Sequence, residues 1–478
     1  MKASSGRAVV VGAGPNGLAA AIVLAQAGMQ VEVFEAEAQP GGGARTMELT
    51  LPGFHHDFGS AVHPMAAASP FFTSLPLRQH GLEWIHSPAS LAHPFDDGTA
   101  ITLERDLDAA VEALAPDGEA WRALVAPLVH RWAEFAPMIL GPMIPGPMLS
   151  PPRHPFLLAG FGWKALMPAA LLAHRCFRGE RTRALFAGLA AHSFLALDEP
   201  LSASFGIVLG ATAHVAGWPI PRGGAQSITQ ALIAHLVQLG GSVTASSRVE
   251  RLDSLGKFDA ALCDVAPRQL LQLAGERFPA SYSRSLARYR PGPGVFKVDY
   301  ALSQPIPWRA AACAQAVTVH LGGSLNEIAA SEDAMRHGRH AERPFVLLAQ
   351  PTLFDSSRAP QGKHIAWAYC HVPNGSEFDM LPRLEAQIER FAPGFGDCVL
   401  ARRIFQPADL EAMDANLFGG DIGGGAVDWR QLLFRPTWRQ YATPDRRIYI
   451  CSSSTPPGGG VHGMCGYHAA RLALSRLP

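Results

Sequence analysis

Four patterned stretches of apolar and polar positions run along this chain, and each predicts its own elements. Near the start, the β-branched run Val9 to Val11 leads into a glycine turn, an alanine-rich stretch from Leu18 to Ala27 and a second apolar run, Val31 to Phe34, which ends at Glu35. That order predicts strand, tight turn, helix, strand. Between Trp218 and Leu252, paired glycines bracket an amphipathic helical pattern, and a strand pair is expected after it, followed by "FDAALCDVAP". At the far end, Ile448 to Cys451 predicts a strand, a Pro/Gly stretch a turn, and the residues from about Val461 to Gly463 onward a helix. The fourth stretch has period two. In "GVFKVDYALSQPIPW", Phe296, Val298, Tyr300 and Leu302 fall on one face, and Val295, Lys297, Asp299 and Ala301 on the other.

Composition narrows the function classes. With 478 residues, 48% of them hydrophobic and 17% charged, the chain can bury a large core, and two domains are expected. Lysine plus arginine equals aspartate plus glutamate at 40 each, so no net field draws in nucleic acid. Seven scattered cysteines, with no C-x-x-C pair, predict reduced thiols, with neither a zinc site nor a redox disulfide. The N-terminus runs directly toward the first strand with no apolar signal core, which sets a cytoplasmic location as the expectation. The apolar region from Phe135 to Phe177 is broken by repeated prolines, a poor composition for a membrane-spanning helix.

Candidate chemistry concentrates where the first stretch turns. In "VVVGAGPNGLAAAIVLAQAGMQVEVFEAE", Gly12 permits the turn, Gly14 lets backbone approach a pyrophosphate at the helix N-terminus, and Gly17 lets the helix pack close to the strand. Glu35 is placed to accept hydrogen bonds from a ribose diol. His55, His56, Asp57 and His63, in "PGFHHDFGSAVHPMA", are of metal-ligating type but have no second ligand cluster to complete a site, so no metal is expected.

A second glycine cluster with an arginine follows Glu35 in "AQPGGGARTMEL". Together with the C-terminal "CSSSTPPGGGVHGMCGYHAARLAL", these motifs resemble the phytoene desaturase-related FAD oxidoreductases (carotenoid desaturases and isomerases) within the flavin amine oxidase superfamily. The resemblance implies an α/β fold of the amine oxidase/phytoene desaturase type: a Rossmann-like FAD-binding domain of discontinuous segments (1–75, 218–290, 425–478) and an α+β substrate domain (76–217, 291–424). It implies FAD contacts from Gly12, Gly14, Pro15, Asn16 and Gly17, from Glu35 and Ala36, and from Gly42, Gly43, Ala44 and Arg45. Gly59, Ser60 and Ala61 would pass beneath the flavin, Val249 would lie against the adenine, and Gly459, Gly460, Val461 and His462 would close over the ring. Amine oxidases usually carry an acid near that last strand end. Here Ser452, Ser453, Ser454 and Thr455 stand instead, closer to the desaturase and isomerase pattern.

The expected activity is dehydrogenation of an apolar, isoprenoid or carotenoid-like substrate, with electrons returned to a quinone or O₂. Rival readings are a flavin amine oxidase, a reduced-FAD-dependent double-bond isomerase, and a non-catalytic flavoprotein that docks on a partner or membrane. The proline-broken stretch from Phe135 to Leu172 fits a wall of the substrate slot, a patch for peripheral membrane association, or plain core. Lys297 precedes Trp308 by eleven residues, a spacing similar to that of the amine oxidase lysine that holds a water at the flavin N5. Its face of the strand is expected to meet either that flavin, as a catalytic residue, or solvent.

Overall fold

The computed structural model describes residues 6–142 and 155–477. A five-stranded parallel sheet runs in the order Ile448–Ile450, Ala260–Cys263, Arg7–Val11, Gln30–Phe34, Ser242–Thr244. Its central strands are covered on both faces, which is why Val9 to Val11 read as unbroken apolar residues rather than alternating ones. The helix Pro15–Gln26 opens with Gly14 as N-cap and proline at its first position, where the missing N–H costs nothing. The C-terminal helix Met464–Leu474 packs on it, and a Cβ at Gly466 would stand 1.8 Å from the Asn16 carbonyl. The two ends of the chain are thereby joined in one layer.

A seven-stranded mixed sheet contains Val399–Phe405, Gly294–Leu302, His364–Val372, Val346–Ala349, Ala316–Leu321, Ala89–Pro94 and Ala100–Glu104, in that order. The helices Glu180–Ala191 and Ser202–Val215 pack on each other and on its Ala89–Pro94 and Ala100–Glu104 edge. The architecture is thus α/β, with a Rossmann-like parallel sheet beside a mixed sheet. All seven cysteines are free.

Three local expectations are corrected. After the helix Gln226–Gln238 there is one three-residue strand, Ser242–Thr244, rather than a pair, because Ser246 turns to φ +50° and breaks the run. Val249 therefore sits in a loop, not in a strand. The last helix begins only at Met464, since Gly463 holds φ +70°, outside helical space. Gly294–Leu302 is not half-exposed: it has a neighbour strand on each side and all nine of its residues are buried.

Candidate functional site

One cavity of about 1580 Å³ joins the two sheets. It starts at Gly12, Gly14 and Glu35, passes Gly42 to Arg45 and Gly59 to Ala61, reaches Gly459 to His462, and opens into a chamber against the mixed sheet. Pockets for drug-sized ligands span roughly 300–1,000 Å³, so this volume has room for a long cofactor and a substrate together. Pro15, Asn16, Ala36 and Val249 also line it. Of the residues nominated from sequence, Gly17 and Lys297 do not.

At the dinucleotide end the local chemistry follows from close approach. Gly12 sits at φ +98° and donates its N–H to the Phe34 carbonyl at 2.8 Å. A Cβ on Gly17 would lie 2.1 Å from the Gly12 carbonyl, so Gly17 closes the turn from behind rather than lining the cavity. Glu35 is fastened at both oxygens: Oε2 accepts from the Ala13 N–H at 2.7 Å and Oε1 from the Glu37 N–H at 2.9 Å. A carboxylate has about four acceptor sites, so a ribose diol still finds acceptors there. Arg45 donates to the Gly42 and Met413 carbonyls at 2.8 and 2.9 Å and lies over the Phe58 ring. It ties the second glycine loop to the far segment. A Cβ on Gly59 would sit 2.4 Å from the Gly43 carbonyl, so the two loops pack backbone to backbone along the wall.

Asp264 was not nominated from sequence. It follows the strand Ala260–Cys263, lines the cavity, and its Oδ2 accepts the Gly17 N–H at 2.8 Å. Burial pushes its pKa up to about 7 against the pull of that hydrogen bond, with Asp414 and Glu35 pushing further in the same direction. Its signal was an acid ending a strand beside the first glycine turn. Asn16 Oδ1 is buried there without a partner. This orphaned acceptor, the glycine-walled backbone and the fastened Glu35 together fit a dinucleotide.

At the other end, the Gly458 to Gly460 turn lies on a second turn, where a Cβ on Gly459 would come within 2.8 Å of the Gly423 carbonyl. Arg435, also missed, donates to the Gly424 and Ser453 carbonyls at 2.8 and 2.9 Å and holds both turns. Burial lowers the His462 pKa to about 4, and its Nδ1 accepts the Met464 N–H at 3.1 Å. That N–H, expected to be free at the helix start, is therefore capped by the chain itself.

The chamber wall on the mixed sheet includes Thr318, Leu347, Trp367 and Tyr369, with His192 and Trp218 facing it from other segments. His192 Nε2 lies 3.1 Å from His320 Nε2. Burial brings His192 down to about 3 and His320 well below the usual imidazole range, so both are neutral at pH 7. From the proline-broken stretch, Pro137, Met138, Phe161 and Ala165 line the cavity, while residues 143–154 lie outside the described residues.

Lys297 is not among the residues that line the cavity, and it is not exposed to solvent. It is 2% exposed, bonds the buried Asp299 carboxylate, and stands near the Trp367 and Phe405 rings. Tyr369 is the cross-strand neighbour of Lys297 and Trp367 that of Asp299, so the pair stands beside these two wall residues on the same face of the sheet. Burial drives the lysine pKa down and the aspartate pKa up, each opposed by the other's charge. His56 Nδ1 lies 3.6 Å from Asp299, and Arg358 holds Asp57 at 2.8 Å. His56 and Asp57 thus fasten the strand His55–Asp57 against the mixed sheet, and among the described residues no group of three metal-ligating side chains is assembled.

The profile of the NAD(P)-binding Rossmann-like domain family matches residues 10–74. The chain is 26% identical to the pyridine nucleotide-disulfide oxidoreductase domain-containing protein 2 of Rattus norvegicus, covering 98% of this chain and 93% of that one. It is 29% identical to a phytoene dehydrogenase of Streptomyces griseus, over 84% and 82% of the two chains. To a lycopene-forming phytoene desaturase of Pantoea ananas the identity is 25%, over 97% and 98%. Among solved structures, an oxidoreductase from Methanosarcina mazei shares the fold with a TM-score of 0.64 at 16% identity, covering 97% of this chain and 99% of that one. Putrescine oxidase bound to putrescine does so with 0.59 at 17% identity, covering 99% of each.

Proposed function

We propose that this chain, an oxidoreductase of the phytoene desaturase and amine oxidase type, uses FAD to dehydrogenate an apolar, isoprenoid-like substrate and returns the electrons to a quinone or O₂. The observation that carries the reading is the continuity of the cavity, which runs from Glu35 along both glycine loops to the C-terminal turn and into the chamber without interruption. A flavin, when bound, supplies a ring nitrogen that accepts a hydride from carbon.

The chain's own residues supply placement. Glu35 would take the ribose diol, and the glycine backbones at Gly14 and Gly42 admit a pyrophosphate where side chains would obstruct it. Gly59 to Ala61 and Gly459 to His462 line the path onward to the chamber. Leu347, Trp367 and Tyr369 would orient an apolar chain and keep water from the reacting carbon. The Ser452 to Thr455 stretch carries no acid, which favours this reading over an amine oxidase.

Substrate entry from a lipid surface is part of the proposal. Trp163 and Leu171, on the bent helix pair Pro155–Ala165 and Ala169–Cys176, and Leu166, in the break between them, are 70%, 41% and 60% exposed, and Phe161 and Ala165 of the first helix line the cavity. No single helix among the described residues is long and apolar enough to cross a membrane. The exposed side chains instead fit shallow contact with the interface. The deciding experiment is anaerobic: FAD-loaded protein should bleach on addition of an isoprenoid substrate and recolour with a quinone. Retention of FAD with no bleaching across isoprenoids, but bleaching by amines, would overturn it.

A further inference from the structure

The chamber is apolar but not uniformly so. On the mixed sheet, Thr318 is the cross-strand partner of Ala349, and Ala349 is the partner of Trp367, so the three stand in one row on the chamber face. All three line the cavity. Adjacent strands lie about 4.8 Å apart, which places Thr318 and Trp367 roughly 10 Å apart at the backbone with only a methyl group between them. The row is a notch with a polar group on each side.

Neither polar group is matched. Thr318 Oγ1 and Trp367 Nε1 are both buried without a hydrogen-bond partner, and Thr318 is 5% exposed. No hydrogen bond reaches them from the wall itself: Ala61, Ile220, Val317 and Ala349 pack with Trp367 as an apolar cluster, and Asp299, the cross-strand partner of Trp367 on its other side, is bonded by Lys297. A buried polar group left unmatched costs about 1–3 kcal/mol, so two on one wall call for a group that is brought in. An indole N–H only donates, and a threonine hydroxyl rotates to donate. The missing group is therefore an acceptor.

A hydrogen-bonded histidine pair stands one row away. His320 lies two residues beyond Thr318 on the same strand face, paired through Nε2 with His192 of the chamber wall. Its Nδ1 is buried without a partner. An orphaned lone pair is tolerated better than an orphaned N–H, so His320 keeps its proton on Nε2 and donates to His192. Neutral His192 then carries its own proton on Nδ1. The segment Gly59 to Ala61 adjoins the notch through Ala61, which packs in the same cluster as Ala349.

We propose that the ligand of this chamber is an apolar molecule bearing one oxygen, an alcohol or a carbonyl, which sits over Ala349 and accepts hydrogen bonds from Trp367 and Thr318. This rests on the reading of the chamber as an apolar substrate site, and it excludes a pure hydrocarbon as the preferred ligand. The oxygen would fix the register of an otherwise featureless chain, and so choose which carbons reach the reacting position.

The test uses FAD-loaded protein and a matched pair of probes, farnesol and farnesene, with affinity read by thermal-shift titration. Farnesol is expected to bind at least tenfold more tightly. Thr318→Val and Trp367→Phe should each reduce that ratio to threefold or less with no loss of FAD. Equal binding of the two probes, absence of binding by both, or a ratio preserved in both variants would overturn the proposal. Failure of the underlying flavin reading shows separately, as wild-type protein that retains no FAD.

Discussion

Lys297 bonds Asp299, two residues along the same strand, and neither side chain reaches the cavity. The pair is an internal strut at the side of the chamber wall, next to Trp367 and Tyr369 on the same face of the sheet. Its energetics follow from burial: two charges that are costly to desolvate are kept by each other, and removing one strands its partner.

Replacing Lys297 alone with methionine should therefore cost about 3–5 kcal/mol of stability, the usual penalty of a buried charge left without its partner. The double variant Lys297→Met/Asp299→Asn should recover part of that loss in urea titrations. Flavin reduction, measured by stopped flow on the folded fraction, should change less than threefold. A tenfold loss at unchanged stability would instead place the lysine at the flavin.

Asp264 predicts a pH dependence. Its folded pKa is about 7, whereas an unfolded aspartate titrates near ~3.9. Between those values the folded state holds a proton that the unfolded state has lost, so stability falls as pH rises through the window and levels off above it. Asp264→Asn, which can still accept the Gly17 N–H, should flatten the profile. In cofactor-free protein it should gain on the order of 1–4 kcal/mol relative to wild type between about pH 4 and pH 8. A variant-to-wild-type difference identical at both ends would show that the carboxyl is not titrating there.

The two glycines at the start of the first helix should fail differently. A Cβ on Gly17 meets the Gly12 backbone carbonyl, which cannot yield. Gly17→Ala is expected to lower the melting temperature sharply. At Gly14 the nearest atom, 2.8 Å away, belongs to the Asp264 side chain, which can swing aside into the cofactor path. Gly14→Ala should keep its circular dichroism spectrum and lose at least tenfold in FAD affinity, and equal melting points with equal FAD affinity would refute the contrast.

The exposed apolar side chains on the bent helix pair give a surface prediction. Changing Trp163, Leu166 and Leu171 together to serine should reduce co-sedimentation with phospholipid vesicles at least fivefold, while FAD content stays at the wild-type level. Unaltered sedimentation would remove the lipid surface as the route of entry.

The sequence by itself determined whatever depends on neighbours along the chain. The turn through Gly12, the helix it starts, the strand that ends at Glu35 and the C-terminal strand, turn and helix all follow from local propensity and from glycines that close packing demands. Positions 247 and 450 residues apart in sequence still had to meet, and only the tertiary structure brought Asp264 to Gly17 and set Gly466 against Asn16. The lysine shows the limit most plainly. Period-two alternation correctly separated the two faces of Gly294–Leu302, but it carried no information about what covers each face. Strand pairing decided that: Val399–Phe405 and His364–Val372 close the edges, and His55–Asp57 packs against the face that carries Asp299. The same pairing lined up Thr318, Ala349 and Trp367 from three strands. A row across a sheet is set by register between distant segments, and no pattern within any one strand records it.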